Sequence, residues 1–406
     1  MAVIGGGAAG FMTAITAAEY GVEKIIILEG SSKLMEKVRI SGGGRCNVTN
    51  ATWIPNELVE NYPRGGMQLL EAFNRFAAGD ILDWFEKRGL KLKIEEDLRV
   101  FPVSNSSLDV IDCLKKRAFS GNVEILTKFF VKQILKTPDN LFTITSSKNN
   151  NIISKNIILS TGGHPSGHKL AQNLGHSIIK PVPSLFTFSI KEPNLNECSG
   201  VSIKNIDIEI KLKNKTFQNR GDLLITHWGF SGPAVLKLSS IAARDLFEQK
   251  YKCNLIIKWS NLDHKDLKEK INYLKENRGK MNLINLRPFP FLTKRLWIFL
   301  LNKMEINIHK KWADLLADER ERMINYLLKD VYTITGKGPF GEEFVTSGGV
   351  KINEVSFKSM ESLICPGLFF SGEVLDVDGI TGGFNFQHCW TSGWLAGKAI
   401  AQLKIK

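Results

Sequence analysis

A run of glycines near the start of the chain limits its fold more than any other feature. Ala2-Val3-Ile4 reads as a short apolar strand, and Gly5-Gly6-Gly7-Ala8-Ala9-Gly10 follows directly. Gly5, Gly7 and Gly10 satisfy GxGxxG, residues 11–20 read as an Ala-rich helix, and residues 24–28 read as a buried strand ending at Glu29. That is a complete βαβ opening, with the acid about twenty residues past the last glycine. Gly5 allows the tight turn, Gly7 lets backbone approach a pyrophosphate, and Gly10 lets helix and strand pack closely. The helix N-terminus offers free N–H groups and a positive dipole end to phosphates. Glu29 can accept hydrogen bonds from a ribose diol and disfavours a 2′-phosphate, so FAD or NAD is expected here rather than NADP. The shortness of the first strand suggests a native start upstream, which an intact-mass measurement of the native protein would reveal. A second match, Gly336-Lys337-Gly338-Pro339-Phe340-Gly341, is followed by residues 342–346, which read as strand. It is expected to be a loop between strands and not a nucleotide site.

The 406 residues allow two or three domains. With 43% hydrophobic and 23% charged residues, disordered, collagenous and disulfide-miniprotein classes are excluded. No apolar run reaches the roughly 18 residues of a membrane helix. Six scattered cysteines (46, 113, 198, 253, 365 and 389) form no CxxC and no zinc-type spacing with the seven histidines, which suits a reducing compartment. No basic region with an apolar run and cleavage site opens the chain, so the cytoplasm is the expected location. The net charge is +13. It would suit a nucleic acid, an anionic membrane or an anionic cofactor, but Lys- and Asn-rich stretches such as residues 148–151 favour scattered, solvated charge.

Past Glu29, residues 33–39 read as a loop leading into Ser41-Gly42-Gly43-Gly44-Arg45-Cys46-Asn47, where three glycines suit backbone lying flat against a ligand. Residues 66–88 carry helical periodicity whose aromatics suit a core. Residues 107–119 read as a helix, 129–135 and 141–145 as a hairpin, and 156–160 as a buried strand running into Thr161-Gly162-Gly163. Character changes near residue 184. Residues 185–260 read as a β-barrel or sandwich, 261–330 as helices and 331–340 as a return strand, interrupting a nucleotide domain formed by residues 1–184 and 341–406. In the last part a strand ends at Gly372-Glu373. Gly382-Gly383-Phe384-Asn385-Phe386-Gln387 then leads into a helix expected from about residue 388. A helix N-terminus there would stabilise negative charge on a reduced flavin.

The stretches SGGGRCNVTN, THWGFSGPAVL, VTSGGV and GEVLDVDGITGGFNFQ resemble the FAD-dependent flavoproteins known as aminoacetone oxidase-like or BaiN-like NAD(P)/FAD-dependent oxidoreductases. The resemblance covers nearly the whole chain. It implies an α/β fold: a glutathione-reductase-type, Rossmann-like FAD domain interrupted by a β-barrel and helices. It also implies FAD contacts at Gly5, Gly7, Ala8, Ala9, Gly10, Glu29, Lys37, Ser41, Gly42, Gly43, Arg45, Asn47, Thr161, Gly162, Gly372, Glu373, Gly383, Asn385, Phe386 and Gln387. The chain departs from the family pattern at Met35-Glu36 and at the short His164-Pro165-Ser166-Gly167.

With one fingerprint and no redox CxxC, electrons are expected to come from a substrate at the flavin or from NAD(P)H docking transiently in the same cavity. Oxygen is the other expected electron partner. Family precedents include amine oxidation and reduction of a conjugated ketone, so a small organic substrate is the first reading. An FAD-dependent RNA-modifying enzyme and a non-catalytic flavin-bearing interaction protein are the alternatives. His227, in the Thr-His-Trp-Gly loop, is the candidate acid or base, equally readable as a hydrogen-bonded loop histidine. His164, His168 and His388 are weaker candidates. Cys46 reads better as a small packed residue than as a redox thiol. No metal site is expected, and substrate identity and oligomeric state are not legible.

Overall fold

Short, wholly apolar strands build the centre of the molecule. Ala2–Ile4, Ile25–Leu28, Ile157–Leu159 and Leu368–Phe370 have no polar side chain between them, as expected of parallel strands covered on both faces. The computed structural model describes residues 1–213, 215–339 and 345–403. Seven strands form one sheet in the order Val355–Ser356, Glu361–Ser362, Leu368–Phe370, Ile157–Leu159, Ala2–Ile4, Ile25–Leu28, Val123–Leu126. The last five pair in parallel, and the two short strands add on antiparallel. Strand order reverses beside Ala2–Ile4, so the crevice outside the C-terminal ends of Ala2–Ile4 and Ile157–Leu159 is the ligand position this topology offers.

Two helices cover one another beside that sheet. Ala8–Glu19 starts at the fingerprint, and Phe384–Gln402 packs along it. Their approach is close because Gly393 and Gly397 lack side chains. A Cβ at Gly393 would lie 2.7 Å from the Ala9 carbonyl oxygen, and one at Gly397 would lie 2.5 Å from that of Thr13.

The chain divides into two compact units, Met1–Val182 with Val345–Lys406, and Pro183–Phe344. The second unit holds a closed antiparallel barrel of Phe188–Ile190, Gly229–Ser231, Lys215–Thr226, Ser202–Leu212, Cys253–Lys258 and Asp330–Lys337. Helices His264–Asn277, Lys294–Lys303 and Ala317–Leu328 separate its last two strands. Trp259, Trp297 and Trp312 are fully buried in this unit. Its interior also holds Asp330, whose carboxylate accepts from Trp259 Nε1 at 2.9 Å, Lys303 Nζ at 2.8 Å and the Tyr332 hydroxyl.

Several expectations need correction. Residues 66–88 form two helices, Gly66–Phe73 and Ala78–Glu86, the second started by Asp80 accepting from the Ala77 amide at 2.7 Å. The expected loop at residues 33–39 contains the start of a helix, Glu36–Gly44, broken where Ser41, Gly42 and Gly43 leave helical geometry. The last helix begins at Phe384, four residues early, because left-handed Gly383 (φ 98°) turns the chain straight into it. Of the second glycine match, Gly336 and Lys337 end a barrel strand, and Val345 and Thr346 begin a further strand outside the barrel. Residues 340–344 lie outside the described residues.

Candidate functional site

The fingerprint loop is shaped by what touches each glycine. A Cβ at Gly5 (φ 112°) would lie 2.4 Å from the Ser160 carbonyl oxygen, and one at Gly10 would lie 2.1 Å from that of Gly5. Both positions therefore exclude any side chain. Gly7 differs: nothing lies within 4 Å of where its Cβ would be. Its backbone faces open space at the N-cap of Ala8–Glu19, where the first amides of the helix are free to bind an anion.

Glu29 stands at the end of its strand, and both its oxygens are engaged. Oε2 accepts from the Gly6 amide and Oε1 from the Ser31 amide, each at 2.8 Å. The acid is thereby aimed beside the fingerprint loop. The following helix is tied to the same loop through the Met35 amide, which donates to the Gly6 carbonyl at 2.9 Å.

Glu373 joins three distant segments. Its Oε2 pairs with Lys37 Nζ at 2.6 Å, and its Oε1 accepts from the Thr346 amide at 2.9 Å. Gly162 and Gly163 lie against the same carboxylate, and a Cβ at Gly163 would lie 2.6 Å from Thr346 Oγ1. Lys37, Gly162 and Glu373 are thus brought together. Thr346 joins them, and its only sequence signal was the Val345–Val350 stretch of the family resemblance.

Two candidates carry buried polar atoms without a partner, Asn47 Oδ1 and Thr161 Oγ1. Thr161 lies tight against Gly167, where a Cβ would sit only 1.7 Å from Oγ1. Other candidates are engaged within the protein. Arg45 pairs with Glu95, donates through Nε to Asn105 at 3.0 Å, and lies 3.8 Å over the Phe101 ring. Ser41 Oγ donates to the Val38 carbonyl, and the Gly42 carbonyl accepts from the Arg45 amide. Gly43 faces open space. Asn385 bridges the amide and carbonyl of Gly379, both at 2.9 Å. Gln387 is fully buried between Thr49 and Thr391. Phe386 stacks on Trp390. From this last group, only backbone amides at the helix start at Gly383 remain for a ligand.

Buried titratable groups surround the crevice. Burial pushes the Cys46 thiol up to about 12, with a Ser41 hydrogen bond opposing, which suits a packed residue. Burial also lowers His168, against the pull of the Glu373 charge. His227 lies in the other unit. It is exposed at the turn between Lys215–Thr226 and Gly229–Ser231, with its ring edge-on to Trp228. Trp228 Nε1 donates to Thr187 Oγ1 at 3.1 Å.

These features fit a dinucleotide: an open backbone at Gly7, an aimed acid at Glu29, and unpaired oxygens on Asn47 and Thr161. The family model described as HI0933-like protein Rossmann domain matches residues 1–399. The chain belongs to the HI0933-like family. It is an FAD-dependent oxidoreductase, and FAD is the dinucleotide this HI0933-like site takes. The chain is 28% identical over 423 residues to the 3-dehydro-bile acid delta(4,6)-reductase of Clostridium scindens, with 98% of each protein covered. It is also 28% identical over 414 residues to the ribosomal RNA dihydrouridine synthase of Haemophilus influenzae, again with 98% of each covered. Among solved structures it shares its fold with a flavocytochrome c3 fumarate reductase, at 15% identity and a TM-score of 0.52, covering 100% of this chain and 78% of the other. It likewise shares it with 3-ketosteroid-delta4-(5alpha)-dehydrogenase from Rhodococcus jostii, at 14% identity and a TM-score of 0.51, covering 98% and 96%.

Proposed function

We propose that this flavoprotein reduces a carbon–carbon double bond conjugated to a carbonyl, with NAD(P)H docking transiently as electron donor. The observation that carries this reading is a single glycine-lined dinucleotide crevice with no thiol pair beside it. Among the described residues all six cysteines are free. Electrons have no protein relay, so donor and acceptor must each reach the cofactor. The names of both relatives describe saturating such a bond, in a bile acid and in a uracil base.

When bound, FAD supplies hydride transfer in either direction. The protein's residues do the rest. The N-terminus of Ala8–Glu19 neutralises the pyrophosphate, and Gly7 permits its close approach. Glu29 accepts from ribose hydroxyls. Glu373 accepts from the hydroxyl-bearing chain, with Lys37 holding its charge in place. Asn47 and Thr161 complete their hydrogen bonding on the ligand. The free amides at the start of Phe384–Gln402 would favour negative charge on a reduced cofactor held there.

A small organic enone is the first substrate reading. A second, the same chemistry on RNA, is favoured by charge as well as by a relative's name. Residues 183–344 hold 27 Lys and Arg against 19 Asp and Glu, a net +8 of the +13 total.

The test is the visible spectrum of purified protein, before and after anaerobic NADPH. Oxidised-flavin bands bleached by NADPH are expected, and reoxidation by unsaturated ketones or by uridine-containing RNA then identifies the substrate class. Bands that NADPH leaves intact but an amine bleaches, with peroxide release in air, would overturn the reductase reading in favour of an oxidase.

A further inference from the structure

The residue ahead of Glu373 is held at both of its backbone polar groups by one helix. The Gly372 N–H donates to Ser392 Oγ at 2.8 Å, and the Gly372 carbonyl lies 3.2 Å from His388 Nε2. Both partners sit on Phe384–Gln402, one turn apart, and Ser392 Oγ donates back to the His388 carbonyl at 2.6 Å. Gly372 is left-handed (φ 73°) and pressed from the far side. A Cβ there would lie 2.9 Å from Ala9 Cβ and 3.2 Å from Cys389 Sγ. Glu373 therefore leaves a peptide clamped between the fingerprint helix and the terminal helix.

The imidazole is an expensive way to fill this space. His388 is 2% exposed and its Nδ1 has no partner. Leucine would fill a similar volume without a buried unpaired nitrogen. A carbonyl only accepts, so the His388 proton resides on Nε2 and points at Gly372. What the imidazole adds over an apolar side chain is that one directed hydrogen bond.

We propose that His388 is a cofactor-positioning residue. Its Nε2–H, with the Ser392 hydroxyl, fixes the Gly372 backbone so that the Glu373 carboxylate meets the hydroxyl-bearing chain of bound FAD. The proposal rests on the reading of Glu373 as an FAD contact. It adds a backbone hold to the side-chain hold from Lys37 and Thr346. The role is indirect, because His388 touches the Gly372 carbonyl and not the reacting atoms.

The test is a double-mutant cycle on FAD affinity, read by fluorescence titration of apoprotein, with apoprotein melting recorded in parallel. His388→Leu should weaken FAD binding at least about tenfold, and His388→Gln, which keeps a donor of similar reach, should stay within about threefold of the parent. In a Glu373→Ala background, His388→Leu should cost less than about a further twofold, because its effect passes through Glu373. Equal losses in both backgrounds overturn the proposal, as does an unchanged affinity in His388→Leu alone, which leaves the role of Glu373 standing. Unchanged affinity in Glu373→Ala alone removes the cofactor reading of that carboxylate and the proposal with it. If His388→Leu does not fold, Ser392→Ala removes the other half of the clamp and runs through the same cycle.

Discussion

The Asp330 cluster of the barrel unit and the crevice side of the nucleotide unit treat their buried polar groups in opposite ways. In the barrel unit, the fully buried Asp330 is saturated by Trp259, Lys303 and Tyr332. In the nucleotide unit, Asn47 Oδ1, Thr161 Oγ1, Ser347 Oγ and His388 Nδ1 are buried without partners. Six of the seven histidines divide in the same way, His164 of the nucleotide unit being exposed. His227, His264 and His309 of the barrel unit are exposed, while His168, His176 and His388 of the nucleotide unit are buried. A saturated network holds a fold together, and an unsaturated one is completed by a ligand.

The sharpest way to break that comparison is a side chain at Gly10. Gly10→Val drives a branched chain into the Gly5 carbonyl and should weaken FAD binding by more than about a hundredfold, measured by flavin retention after desalting. FAD retained at parental level would mean that the loop is not the nucleotide site. Asp330→Ala should cost about 3 kcal/mol of unfolding free energy, since it takes the nearer carboxylate from Lys303 and leaves Glu192 at 3.5 Å. FAD affinity should be unchanged, and denaturant titration with flavin binding separates the two readouts.

Acid should act first on the nucleotide unit. Burial lowers His388 to about 4, and lowers His168 and His176 against the pull of Glu373 and Glu354. These groups are depressed when folded, so their contribution is complete above about pH 6.5 and is lost as pH falls through the folded values. For His388 the loss is on the order of 3 kcal/mol well below pH 4. Hydrogen exchange between pH 7 and 4 should show protection failing in residues 1–182 and 345–403 before 183–339. The reverse order would sink the comparison. Gly7→Ala gives a gentler contrast. Its Cβ meets nothing, so apoprotein melting should not move while FAD binding falls about tenfold. The smallest expected effect is chemical. Burial raises the Cys46 and Cys389 thiols to about 12, so a thiol reagent at pH 8 should modify neither until the protein unfolds.

The fingerprint was legible because its strand, glycines, helix and acid lie within thirty residues. The meeting of Lys37 with Glu373 was beyond the residues themselves, since 336 positions separate them. Thr346 contributes a backbone amide, which no side-chain pattern reveals. The helix at Glu36–Gly44 was hidden by three glycines that break it. The strand Asn151–Ser154 and the antiparallel strands Val355–Ser356 and Glu361–Ser362 were too short or too polar to stand out. His388 stood in the sequence only as one of the weaker acid or base candidates; its meaning lies in the carbonyl it meets.

The close fit of Gly393 and Gly397 against Ala9 and Thr13 also sets an order of events. A ribosome that has made the fingerprint must still make about 390 residues before the helix that seats it emerges. Residues 183–344 are contiguous and can close on themselves in the meantime. The nucleotide crevice is therefore finished only late in synthesis, and a nascent chain stalled before residue 383 would carry a completed barrel beside a fingerprint unable to hold its cofactor.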